Sequence, residues 1–102
     1  MSVNSIEHIQ LKLKQNASKL EAFSLHEIRL FGSFLTHHQT DESDIDLIVY
    51  FTKEIGYITL SSLKLFLESI FERAVDMMTE SGLHPKLKTE IIEQAILIWS
   101  GQ

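Results

Sequence analysis

Five consecutive apolar residues, Leu47 to Phe51, follow directly on Asp46 and leave no side of that segment for water. A run of this length, apolar on both faces, predicts a central strand over residues 45–51, covered above and below. The surrounding periodicity predicts what covers it. Ile6, Ile9, Leu13, Ala17 and Leu20 recur at three- and four-residue steps, which predicts an amphipathic helix over residues 5–22 with Ser5 as its N-cap. Residues 27–31 read as a first strand, and a short helix begins at Ser33 and carries Phe34 to His37. A polar loop follows from Gln39 to Ser43. After a Thr59 cap, Leu60, Leu63, Leu67 and Ile70 share one helical face up to Phe71, and Phe66 and Phe71 widen it. Residues 73–78 read as a third strand, Ser81-Gly82 as a turn, and Pro85 as the first turn of a last helix running to about Trp99. The predicted order is α-β-α-β-α-β-α: an α/β (α+β) fold, a single domain over residues 1–102, with a three-strand mixed sheet flanked by helices.

Composition narrows the function. The length of 102 residues suits one domain, and zero cysteines exclude a disulfide scaffold and a thiolate metal site. No apolar run approaches the ~20 residues of a membrane span, and the N-terminus lacks the order of a signal peptide; a cytoplasmic protein with no membrane partner is expected. A net charge of −5, with basic residues scattered and no run of them beyond pairs such as Lys86 and Lys88, argues against stable nucleic-acid binding. A nucleotide can still be held by metal ions and backbone amides.

The chemistry concentrates in residues 32–47, where Gly32-Ser33 is followed at fixed distance by Asp44-Ile45-Asp46. Glycine at a strand-to-helix turn lets backbone approach a ligand, and amides at a helix start point at an anion. Gly-Ser alone reads more readily as a plain turn with Ser as N-cap. Asp44 and Asp46, two apart on a strand, emerge on one face, and neighbouring carboxylates repel unless a cation lies between them. Hard carboxylate oxygens suit Mg²⁺; a solvated acidic turn, with Asp41 and Glu42 alongside, is the bland alternative. Asp76 lies inside Ala74-Val75-Asp76-Met77-Met78, where a charge is costly unless paired or metal-bound. It completes a carboxylate triad if the third strand neighbours the second; otherwise it points outward at an edge or pairs with Arg73. His37 and His38 read as exposed loop residues, His84 as a capping or packing residue, and His8 and His26 as surface positions. Trp99, Ile92 and Ile96 read as core or partner contacts.

Gly32-Ser33-x10-Asp44-Ile45-Asp46 resembles the signature of the polymerase-β-like nucleotidyltransferases. Over nearly its whole length the chain is similar to the minimal nucleotidyltransferases, the MntA-type antitoxins encoded beside HEPN-domain toxins. Val75-Asp76-Met77-Met78-Thr79, then Gly82-Leu83-His84-Pro85 and a terminal helix, resembles the ending common in that group. The resemblance implies transfer of AMP from ATP onto a tyrosine of a cognate HEPN toxin. It implies that Gly32 and Ser33 hold the triphosphate, that Asp44 and Asp46 bind two Mg²⁺ ions, and that Asp76 binds one metal and helps activate the acceptor hydroxyl. Many relatives read Gly-Ser-Arg-Ala-Arg-Gly; here Phe34, Thr36 and His37 stand at the third, fifth and sixth positions. Those missing cations and the wide apolar face of the 60–71 helix suggest an alternative, an antitoxin that neutralises its partner by binding alone. Transfer to a small molecule ranks last, since relatives of that kind carry an added acceptor domain. Homo- or hetero-oligomers fit either leading reading.

Overall fold

The first turn forms where the sequence supplies a cap: the His8 amide donates to the Ser5 hydroxyl at 3.1 Å, and helix α1 runs Ile6–Gln15. In the computed structural model, which describes residues 2–101, the predicted helix over 5–22 is two helices. Asn16 separates them, its side-chain amide donating to the Lys12 carbonyl at 2.8 Å and its backbone leaving the helical region. Asparagine competes for local backbone groups in this way. Helix α2, Ala17–Ala22, follows.

Strand β1 is Leu25–Phe31, and a short 3-10 turn, Gly32–Phe34, replaces the longer helix expected from Ser33. Strand β2 spans Ile45–Phe51 as predicted. Helix α3 is Tyr57–Phe71 and starts from Gly56 rather than from a Thr59 cap, so Thr59 lies inside it. Strand β3 is Val75–Met78, preceded by Arg73 and Ala74 in irregular backbone. Helix α4, Pro85–Gln94, takes His84 as its N-cap, the imidazole Nδ1 accepting from the Lys86 amide at 3.2 Å.

The expected helix to Trp99 and the three-strand sheet are both corrected at the C-terminus. Ala95 turns to extended backbone and Ile96–Ser100 form strand β4, antiparallel to β1. Ile96-Leu97-Ile98-Trp99 is branched and aromatic, favouring a strand once an open edge of β1 is there to pair with. The mixed sheet has order β3-β2-β1-β4, with β1–β2 antiparallel and β2–β3 parallel. Strand β2 is therefore central. One sheet face is closed by α1, α2 and α3, with Ile9, Leu13, Leu20, Leu63, Leu67 and Phe71 packed on Ile28, Leu30, Ile45, Leu47 and Val49. On the other face a smaller cluster of Ile48, Leu83 and Ala95 gathers Phe31, Met78, Ile91 and Ile92 under α4. No helix among the described residues is long and apolar enough to cross a membrane.

Candidate active site at the start of strands 2 and 3

The alternation of β2 sorts its side chains. Ile45, Leu47 and Val49 enter the helical core, so Asp46, Ile48 and Tyr50 emerge on the α4 face. Parallel pairing sets Asp46 opposite Asp76, and antiparallel pairing sets Asp46 opposite Phe31, the residue before Gly32. Neighbouring strands lie about 4.8 Å apart, so the two carboxylates are adjacent on one face. Asp44 stands just before the strand, exposed. Asp76 lies on an edge strand and is exposed, opposite Asp46 in the parallel register.

Gly32 is where backbone and carboxylate meet. Its φ of +79° is a left-handed conformation, and a Cβ built there would lie 2.0 Å from Asp46 Oδ2. Only glycine leaves room for that carboxylate against the turn. The Leu35 and Thr36 amides close the turn by donating to the Gly32 carbonyl at 3.1 and 3.2 Å, and the His38 amide donates to the Ser33 carbonyl at 2.9 Å. Ser33 is half-buried beside Asp46's strand. Phe34, the third residue of the motif, is fully buried in the core. Thr36, His37 and His38 are exposed, with His38 Nδ1 3.0 Å from the Thr36 hydroxyl.

Electrostatics single out Asp46. Burial, reinforced by the charges of Asp76 and Asp44, raises its pKa from the ordinary 3.8 to about 6. A half-buried carboxylate crowded by like charges is a place where a cation relieves the repulsion. Among the described residues no three His, Cys, Asp or Glu side chains converge into a finished cage. Mg²⁺ does not need such a cage, since it keeps waters and takes one or two carboxylates plus substrate phosphates. The donor set, the bare Gly32 cradle and the stressed Asp46 fit such an ion.

Arg73 does not pair with Asp76. Its Nε donates to the Val3 carbonyl at 3.0 Å, and its Nη1 to the Thr40 and Ser43 carbonyls at 2.7 and 3.0 Å. The sequence offered only its position before β3 as a signal. A second polar group lies farther along the α4 face: the Tyr50 hydroxyl donates to Glu80 at 2.7 Å, and Arg29, ion-paired with Glu27, stacks 5.9 Å from the Tyr50 ring. Burial and that bond to Glu80 push the Tyr50 hydroxyl up to about 12, so it stays protonated.

A model of the polymerase beta nucleotidyltransferase domain matches residues 7–102. A Methanocaldococcus jannaschii protein provisionally named a protein adenylyltransferase is 30% identical over 98 residues, covering 94% of this chain and all of its own. Among solved structures, a provisional minimal nucleotidyltransferase superposes with a TM-score of 0.79 at 28% identity, over 94% of this chain and 98% of its own. A toxin–antitoxin structure with AMP-PNP superposes with a TM-score of 0.71 at 25% identity, over 91% of this chain and 74% of the matched chain.

Proposed function

The chain belongs to the polymerase-β nucleotidyltransferase family, and from that premise we propose that it is the antitoxin of a toxin–antitoxin pair, transferring AMP from ATP to a tyrosine of a HEPN-domain toxin. The observation that carries this reading is the contact of Asp46 with Gly32, beside its register partner Asp76. The Gly32 turn and a carboxylate pair are thereby brought to one spot. A relative carrying the name protein adenylyltransferase and a toxin–antitoxin neighbour with a bound ATP analogue support the substrate and the partner.

In this reading Gly32 and Ser33 bind the triphosphate through the amides of the 3-10 turn and the serine hydroxyl. Asp44 and Asp46 hold Mg²⁺ with Asp76 as third ligand. Bound Mg²⁺ supplies neutralisation of the charge on the attacking and leaving oxygens of an in-line displacement. Asp76, exposed at the sheet edge, is open to the acceptor and helps take its hydroxyl proton as the P–O bond forms and pyrophosphate leaves. The buried Phe34 fixes the turn but adds no charge, so phosphate neutralisation rests more heavily on the metal.

The test is incubation of the protein with α-labelled ATP, Mg²⁺ and the HEPN protein encoded beside it. Label on a toxin tyrosine, lost in Asp44→Ala/Asp46→Ala, is the expected result. Equal labelling by wild type and double variant contradicts the reading. A double variant that binds and still silences the toxin supports neutralisation by binding alone, for which the exposed Tyr57, Ile58 and Leu65 of α3 (88%, 85% and 67% accessible) offer a surface.

A further inference from the structure

We infer that Arg73 is a positioning residue for the transfer site, acting through the loop that delivers Asp44 and the turn that delivers Ser33. Three separate pieces of chain meet at its guanidinium. Nη1 donates to the Thr40 and Ser43 carbonyls at 2.7 and 3.0 Å, which pins both ends of the 40–43 loop immediately before Asp44. Nε donates to the Val3 carbonyl at 3.0 Å, while the Val3 amide donates to the Phe71 carbonyl at 3.0 Å, so the anchor itself is fixed to the end of α3. The guanidinium also lies over the Phe34 ring, 5.0 Å from its centroid, and Phe34 directly follows Ser33.

The loop has little else to hold it. Residues 36–44 contain no large apolar side chain, and every residue from Thr40 to Glu42 is exposed. Besides these bonds, the Gln39 side-chain amide donates to the Asn4 carbonyl at 3.0 Å; the bonds between Thr40 and Ser43 are internal to the loop. A planar guanidinium suits this junction because it presents several donors in fixed directions and stacks on a ring, which an ammonium cannot do at once. Arg73 thus spends its donors on backbone carbonyls, and through them it sets where two candidate ligand groups stand relative to Asp46. It also links the turn at Phe34 to the segment entering β3, two residues before Val75 and three before Asp76.

This inference rests on the reading of Asp44 and Ser33 as site residues, and the experiment separates the two. Amide hydrogen exchange and Mn²⁺ binding, followed by electron paramagnetic resonance, are measured on wild type, Arg73→Met, Arg73→Lys and Asp46→Asn. Arg73→Met keeps an apolar stem over Phe34 and loses the donors. It is expected to speed exchange across residues 40–46 at least about 10-fold with α1 unchanged, and to weaken Mn²⁺ about 10- to 100-fold, the usual cost of losing a group that orients a ligand. Arg73→Lys, which can reach only part of the carbonyl set, falls between. A merely structural arginine lowers the melting temperature without changing Mn²⁺ affinity in the folded protein. Wild-type exchange over 40–46 together with wild-type Mn²⁺ affinity in Arg73→Met overturns the inference; should that variant not fold, the same result in Arg73→Lys does so. Undiminished Mn²⁺ binding in Asp46→Asn overturns the metal reading instead, leaving loop exchange to judge Arg73.

Discussion

On one face of β2, Ile45, Leu47 and Val49 disappear into a core closed by α1, α2 and α3; on the other, Asp46 and Tyr50 stay half-buried beside the smaller cluster under α4. The same seven residues serve both. Full burial of branched side chains on the helical face supplies the stability that lets the opposite face carry crowded carboxylates, a left-handed turn and a strand edge. Strain and like charge at a functional site persist only where the surroundings hold them, and here the holding face is one peptide away along the strand.

The largest separation of the two faces is expected from Asp44→Asn/Asp46→Asn. It should lower AMP transfer more than about 10³-fold, beyond the 10–100-fold typical of an orienting group, while chemical denaturation shows stability unchanged or raised. Leu47→Ala, one residue away on the other face, should cost about 2–5 kcal/mol of stability as a cavity opens in the core. At temperatures where it remains folded its transfer rate per folded molecule should persist. A loss of activity in folded Leu47→Ala would mean that the faces are coupled.

Gly32→Ala should break both sides at once. The φ of +79° and a Cβ 2.0 Å from Asp46 Oδ2 force the turn and the carboxylate apart, costing about 1–3 kcal/mol from backbone conformation alone and most of the nucleotide affinity, read by calorimetry. Wild-type stability and affinity in that variant would contradict the packed contact.

These variants also show how far the residues could be read alone. Strand β2 was legible from its five consecutive apolar residues; the period of two set Asp44 and Asp46 on one face, and Asp76 stood out as a charge within an apolar strand. The contact of Gly32 with Asp46 was not, since it depends on the register that places Phe31 opposite Asp46. Strand β4 was hidden because Ile92, Ala95, Ile96 and Trp99 continue the helical spacing of α4. Only the free edge of β1 decides for a strand, and no local signal reports that edge. The role of Arg73, left open as one partner for Asp76, was hidden for a similar reason: its partners are carbonyls about thirty residues or more away, not the aspartate three residues on.

A smaller effect tests the crowding of the carboxylates. With its pKa raised to about 6 by burial and by Asp76 and Asp44, Asp46 binds its proton more readily folded than unfolded. Its neutral form therefore favours the folded state fully below about pH 4, and that contribution is lost as pH rises through about 6. The stability of the metal-free protein relative to Asp46→Asn should fall across that window in denaturation at stepped pH; a difference independent of pH would contradict the crowding. The smallest effect is expected outside both faces. Ile58→Ser and Leu65→Ser, at exposed positions of α3, should shift stability by less than about 0.5 kcal/mol each, with an intact basal site.

The most direct measurement is transfer of α-labelled AMP to the proposed HEPN-domain partner by wild type and by Asp46→Asn and Asp76→Asn, each verified as folded. A labelled toxin tyrosine with wild type and near-background label with either variant is the expected result. Wild-type labelling by both variants, or none by wild type with Mg²⁺ and ATP present, would contradict it.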